Sequence, residues 1–155
     1  MNIRIINGPN LNLLGTREPE IYGRDTLDEM IRRLRGDFPF VAFSHFQSNH
    51  EGALIDRVHE YGEYDGLVVN PGALGHYSHA LADALRAVPR PKIEVHLSNV
   101  HRREAFRRKS VVAPACDGTI SGLGAEGYWA AVAVLVRRFS AADGGGGGLL
   151  APMWA

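Results

Sequence analysis

The chain has 155 residues, 45% of them hydrophobic and 22% charged, which suits one soluble globular domain with room for a core. Its 17 basic and 17 acidic side chains give a formal net charge of +0, which offers no support for a nucleic-acid or polyanion partner and leaves solubility without a strong net charge, favouring self-association. The single cysteine, Cys116, excludes an intramolecular disulfide and a cysteine metal cluster and fits a reducing compartment.

The N-terminus leads directly into Ile3-Arg4-Ile5-Ile6, a first strand, without the basic stretch, apolar segment and small-residue cleavage site of a secretory leader. No apolar run approaches the ~20 residues of a membrane span, so a cytoplasmic location is expected. A long loop then carries Asn7-Gly-Pro-Asn10, Arg17, Glu18, Pro19, Tyr22 and Gly23. Thr26 and Glu29 form a capping box, and Leu27, Met30, Ile31 and Leu34 fall at helical spacing behind it. Phe40-Val41-Ala42-Phe43 reads as a second strand. A second helix follows on Leu54, Ile55, Val58 and Tyr61, with Ser48 and Glu51 as a possible box and Gly62 as its stop. Gly66-Leu67-Val68-Val69 is a third strand, and Leu81, Ala84, Leu85 and Val88 make a helix ended by Pro89. Lys92-Ile93-Glu94-Val95 is a fourth strand. The polar stretch 103–108 holds one or two helical turns, and Asp117-Gly118-Thr119-Ile120 is a weaker fifth strand. Tyr128, Ala131, Val132, Leu135 and Phe139 mark a long last helix. Residues 140–155 include five consecutive glycines and no periodicity. They read as a flexible tail, whose Leu149–Trp154 end is the alternative docking segment, behind a domain spanning 1–139.

Strands alternating with helices imply right-handed crossovers and a parallel sheet covered on both faces. Five strands with the first near the centre predict an α/β three-layer sandwich of flavodoxin-like order 2-1-3-4-5. Ligands then bind beyond the carboxyl ends of the strands, after Ile6, Val69 and Val95.

Those ends are rich in polar groups: Asn7–Asn12, then Asn70-Pro-Gly-Ala-Leu-Gly-His76, then Glu94-Val-His-Leu-Ser-Asn99, with Arg107 beyond. Glu94 and His96 are two apart on a strand and share a face. A carboxylate there fixes the imidazole tautomer and suits a proton donor, and spacing alone equally fits a surface ion pair. Tyr22 lies in a loop long enough to be functional, and a free phenol, with a pKa of ~10, is a poor base unless a cation such as Arg17 favours its phenolate. The alternative is an aromatic that staples the loop to the body. His45, His50, His59, His79 and His101 show no metal-site spacing such as His-Glu-x-x-His, so no metal is expected. Gly122-Leu-Gly124 opens the last helix, where either an anion or tight strand-to-helix packing would account for it.

The run Asn7-Gly-Pro-Asn-Leu-Asn-Leu-Leu-Gly15, Arg17-Glu-Pro and Tyr22-Gly23 resembles the signature of the type II 3-dehydroquinate dehydratases. So do Gln47-Ser-Asn-His-Glu-Gly52, Asn70-Pro-Gly-Ala73, Glu94-Val-His-Leu-Ser-Asn99 and Gly122-Leu-Gly with Gly127-Tyr128, in the family's order over residues 3 to 139. The resemblance implies a flavodoxin-like dodecamer of trimers. It also implies a cofactor-free anti elimination of water from 3-dehydroquinate, through an enolate, in the shikimate pathway. On it, Tyr22 is the base, Arg17 keeps the tyrosine ionised, Asn10 helps hold a water at the enolate oxygen, His96 is the acid and Glu94 orients it. Asn70, His76 and Arg107 grip substrate hydroxyls and carboxylate, the backbone N–H groups of Leu97 and Ser98 receive the carboxylate, and Asp83 reaches a neighbouring subunit's site. The lysine Schiff-base route to the same product is disfavoured, since Lys92 begins a buried strand and Lys109 lies in a basic run. The segment Gly75–His79 departs from the usual threonine-rich version, and His79 receives no role. A rival reading is a flavodoxin-like nucleotide or flavin-binding module, for which Asn7-Gly-Pro-Asn10 supplies a poor anion cradle. A catalytically silent family member is the other, and every matched chemical position is filled.

Overall fold

A computed structural model describes residues 1–16, 19–22 and 24–143. Five parallel strands, β1 (Asn2–Asn7), β2 (Ala42–Gln47), β3 (Gly66–Asn70), β4 (Lys92–His96) and β5 (Gly118–Ser121), form one sheet of order β2-β1-β3-β4-β5, as the alternation of elements predicts. Helices α1 (Pro19–Tyr22), α2 (Leu27–Asp37), α3 (Glu51–His59), α4 (His79–Ala87) and α5 (Glu126–Asp143) complete the fold. Alternation along the strands feeds two cores. Ile3, Ile5, Val68, Ile93 and Val95 pack with α2 and α5. Ile6, Leu67 and Val69 pack with α3 and α4. Both faces of the central strands are therefore covered, as an all-parallel sheet requires.

The helix signals hold except at the two ends of α3, which stops at His59, so that Tyr61 and the expected stop Gly62 fall in a separate 3-10 turn over Tyr61–Glu63. Thr26 and Glu29 form the predicted reciprocal box at the start of α2. Behind it Leu27, Met30, Ile31 and Leu34 are buried, each side chain contributing roughly 1.5–3 kcal/mol of gross burial. The Ser48–Glu51 box does not form. Ser48 Oγ instead accepts from the His50 N–H at 3.0 Å, making a tight turn, and His50 is the residue before α3. Ser78 caps α4 by accepting from the Leu81 N–H at 2.9 Å. The last helix continues through Ser140 to Asp143, past the final apolar residue of its stripe, and 144–155 lie outside the described residues.

The second strand is shifted. Phe40 and Val41 belong to the turn that follows α2, with the Val41 N–H donating to Phe38 O at 2.9 Å, and β2 runs through Ser44, His45 and Gln47. Among the described residues it is an edge strand, paired with β1 alone, and an edge strand need not be apolar on both faces. Arg4 is another surprise, a cation 6% exposed in a central strand. It reaches Glu60 at 2.7 Å and Glu63 at 2.8 Å, and it stacks over the Tyr64 ring at 5.0 Å. Among the described residues no helix is long and apolar enough to cross a membrane.

Candidate active site

The loops after β1, β3 and β4 converge at the carboxyl edge of the sheet. Gly8 lets the first two meet: its N–H donates to Asn70 O at 2.8 Å, and a Cβ there would lie 2.3 Å from Pro71 O. Asn10 follows in the left-handed region (φ 68), with its N–H donating to Asn49 Oδ1 at 2.8 Å. The cleft so formed, about 710 Å³ counted to its open mouth, is lined by Asn10, Leu11 and Leu14 from the first loop and by Asn70 and His76 from the second. His96, Leu97 and Ser98 from the third, with Arg107 beyond, close it.

Glu94 and His96 lie on one face at the end of β4, as their spacing predicts. Glu94 is fully buried and His96 is 7% exposed, so the pair is not a surface ion pair. His96 Nε2 lies 2.9 Å from Glu94 Oε1. The same carboxylate oxygen accepts from Ser110 Oγ at 2.7 Å, and Oε2 accepts from Thr119 Oγ1 at 3.1 Å. With donors on both oxygens the carboxylate acts as an acceptor throughout, so the His96 proton on this side resides on Nε2. Nδ1 is left to exchange a proton.

His76 stands beside His96, with ring centroids 5.6 Å apart and planes 17° from parallel. Its Nδ1 lies 2.9 Å from the Lys109 carbonyl, an acceptor, so Nδ1 carries the proton and Nε2 presents a lone pair. Burial holds His76 below the ordinary histidine value against the pull of that carbonyl, and the nearby His96 and Arg107 push the same way. A neutral ring is thereby favoured next to His96.

The Leu97–Ser98 segment has its carbonyls turned towards the last crossover. His96 O accepts from the Gly122 N–H at 3.1 Å and Leu97 O from the Gly124 N–H at 3.0 Å. In a trans peptide the N–H opposes the C=O, so the Leu97 and Ser98 N–H groups turn away from that crossover. Gly122 makes the approach possible at φ +89, where a Cβ would lie 2.9 Å from Asn99 Cβ. The two glycine N–H groups are thus committed to tight packing and are not an anion site.

Beneath the cleft lies a buried polar chain. Asn70 Nδ2 donates to Tyr128 Oη at 2.8 Å, and Tyr128 Oη donates onward to Asn7 Oδ1. Asn70 Oδ1 accepts from the Gly72 N–H at 3.2 Å, which fixes the amide's orientation. Burial pushes the Tyr128 phenol far above the ordinary tyrosine value, so it stays protonated. Arg107 donates through Nε to Glu104 Oε2 at 3.0 Å and lies over the Phe106 ring at 4.7 Å.

One expected residue falls elsewhere. Asp83 is on the exposed side of α4, ion-paired to Arg86, and does not line this chain's cleft. Arg17 and the Tyr22 side chain lie outside the described residues, although the backbone of Tyr22 closes α1 within the predicted long loop. His79 opens α4. Sequence reading missed Ser110, Thr119 and the Lys109 carbonyl. No local pattern marks Ser110, since it meets Glu94 only through the loop between β4 and β5. Tyr128 was visible in an apolar helical stripe and in the Gly127-Tyr128 block of the resemblance, without a role in the site. Among the described residues no three of His, Cys, Asp and Glu converge as a metal-binding set.

Comparison with known proteins adds a family. A profile described as Dehydroquinase class II matches residues 1–136. A protein named 3-dehydroquinate dehydratase from Thermotoga neapolitana is 55% identical over 130 residues, covering 83% of this chain and 89% of that one. Another of the same name from Bacillus subtilis is 54% identical over 140 residues, covering 86% and 93%. The crystal structure of the type II dehydroquinase from Butyrivibrio crossotus superposes with a TM-score of 0.85 at 47% identity, covering 88% of this chain and 97% of that one.

Proposed function

The chain belongs to the class II dehydroquinase family, and from that premise we propose that it dehydrates 3-dehydroquinate to 3-dehydroshikimate by anti elimination through an enolate. The observation that carries this reading is the buried Glu94 carboxylate fixing His96 by Nε2 at the mouth of the three strand-end loops. It leaves the other imidazole nitrogen of a cleft-lining residue available for proton exchange.

In this reading the Tyr22 phenolate, favoured by Arg17, takes a proton from C2 of the substrate. The C–H electron pair moves into the C2–C3 bond and onto the ketone oxygen as an enolate. Fixed dipoles around that oxygen, including a water held by Asn10, lower the barrier to forming it. The enolate then re-forms the ketone and expels the C1 hydroxyl, which leaves as water with a proton from His96. The product carries a C1=C2 double bond conjugated to the ketone. Asn70, whose amide is oriented by Tyr128 and Gly72, and neutral His76 bind substrate hydroxyls. Arg107 and the Leu97 and Ser98 N–H groups hold the carboxylate. No cofactor takes part.

The protein acts as a homo-oligomer, a dodecamer of trimers, in which Asp83 reaches the neighbouring subunit's cleft. Its exposure on α4 away from this chain's own site supports that role, as do the exposed Tyr77 and Phe106 rings. A cytoplasmic setting fits a chain with one free cysteine.

The test is to mix purified protein with 3-dehydroquinate and follow the absorbance of the conjugated product. Turnover is expected without added metal. Tyr22→Phe is expected to lose nearly all of it while the fold survives, and full activity in that variant would remove Tyr22 from the role of base.

A further inference from the structure

The Glu94–His96 pair depends on two hydroxyls that lie outside the cleft lining. Ser110 Oγ is 2.7 Å from Glu94 Oε1, and Thr119 Oγ1 is 3.1 Å from Oε2. Ser110 Oγ already accepts from the Ala113 N–H at 2.9 Å and the Val112 N–H at 3.2 Å. Its lone pairs are therefore occupied, and its single proton is free to be donated. Its other candidate acceptor, Gly75 O, is more distant at 3.2 Å and already accepts from the Val111 N–H at 2.8 Å. The proton goes to Glu94.

We propose that Ser110 and Thr119 are positioning residues that keep the proton shared by Glu94 and His96 on the imidazole, so that His96 works as a cationic acid. This rests on the reading of His96 as the acid. A carboxylate with no exposure is costly unless donors face it. When both protons are on the pair, one lies between Oε1 and Nε2. With the two hydroxyls donating, the charge-separated arrangement of carboxylate and imidazolium is supported. Without them the proton moves from Nε2 to Oε1, leaving a carboxylic acid against a neutral imidazole protonated at Nδ1. A neutral imidazole is a far weaker acid than an imidazolium, so expulsion of the hydroxyl slows. The other titratable groups in contact do not supply the missing charge. His76 is held towards its neutral form, and burial pushes the Cys116 thiol near Glu94 up to about 12. Arg107, on the cleft side, opposes a positive charge on His76.

The two hydroxyls differ in what else they do. Ser110 also ties the turn at Val112 and Ala113, so Ser110→Ala perturbs the backbone as well. Thr119 sits on the exposed edge strand β5, and Thr119→Val keeps its shape and strand preference while removing only the donor. The experiment combines nitrogen-15 NMR of the His96 ring in the free protein with steady-state turnover of 3-dehydroquinate, in wild type, Ser110→Ala, Thr119→Val and Thr119→Ser.

In wild type on the acid side, both ring nitrogens of His96 should show the imidazolium pattern. In Thr119→Val and Ser110→Ala the pattern should shift towards the neutral ring protonated at Nδ1. kcat should fall about tenfold in each, a fraction of what a general acid contributes, with KM changed less than about twofold. Thr119→Ser should restore both. A wild-type spectrum and kcat in Thr119→Val would overturn the proposal, and so would a fall in kcat for Ser110→Ala with no change at the His96 ring. An inactive wild type would instead count against the dehydratase reading, and the NMR comparison would still decide the role of the hydroxyls.

Discussion

The rings of His76 and His96 lie nearly parallel, 5.6 Å apart, each fixed by a different acceptor: the Lys109 carbonyl for one and Glu94 for the other. Two stacked imidazoles at that distance do not both carry charge readily. Burial lowers the His76 value, Arg107 pushes the same way, and a neutral His76 is favoured. The arrangement assigns opposite tasks to identical side chains, with His76 offering an Nε2 lone pair and His96 an Nδ1 proton. His76→Ala should therefore raise KM for 3-dehydroquinate about tenfold, the loss of one good hydrogen bond, and lower kcat much less. Steady-state kinetics separates the two, and a fall confined to kcat would place His76 in the chemistry instead.

Glu94→Gln replaces an all-acceptor carboxylate with a group that must present an amide N–H to Ser110, Thr119 or His96. The expected loss in kcat is about a hundredfold, within the range for general acid catalysis. Stability should drop by about 1–3 kcal/mol, because a buried donor is left facing another donor. Chemical denaturation together with turnover measures both.

Tyr128→Phe removes the hydroxyl that joins Asn70 to Asn7 in the floor of the cleft. The loss leaves a buried amide donor and a buried amide oxygen without that partner, at a cost of about 1–3 kcal/mol. Because Asn70 is then free to turn, kcat/KM should fall by more than the stability change alone would produce at a temperature where the variant is fully folded. Equal kcat/KM in the folded variant would restrict Tyr128 to a packing role.

Gly8→Ala places a Cβ against the Pro71 carbonyl, a backbone atom that cannot swing aside. A cost of about 3 kcal/mol is expected, together with separation of the loops after β1 and β3 and loss of activity. Thermal unfolding beside an activity assay checks this.

His45 supplies a pH dependence. It lies under α2 among Asp28 and Arg35, burial holds it below the ordinary 6.5, and its Nε2 is buried without a hydrogen-bond partner among the described residues. Between the lowered value and 6.5 the unfolded chain binds more protons than the folded one, so stability rises with pH there. The contribution is complete above the unfolded value and is lost as pH falls through the folded one. Melting temperature should thus decline less in His45→Phe than in wild type on going from about pH 7.5 to about pH 5. An identical decline would assign the acid sensitivity to other groups.

The sheet order and the helix faces were legible because hydrophobic spacing and the Thr26–Glu29 box are local signals that the fold obeys. The same holds for Glu94 and His96, whose spacing on a strand dictates a shared face. Edge strand β2 was misplaced because Phe40 and Val41 look like strand residues while the polar Ser44, His45 and Gln47 are tolerated only at a sheet edge, a fact of topology. The ion pairs of Arg4 in the first strand were not legible because its partners Glu60 and Glu63 lie far along the chain. Ser110 and Tyr128 were invisible as site residues for the same reason: each meets its partner through a tertiary contact between segments distant in sequence.

The most direct measurement uses 3-dehydroquinate carrying deuterium stereospecifically on one face of C2. The account predicts that the purified protein forms the conjugated product and releases to water the label that stands anti to the departing C1 hydroxyl, retaining the other. Loss of the syn label, or no product at all from folded protein, would contradict it.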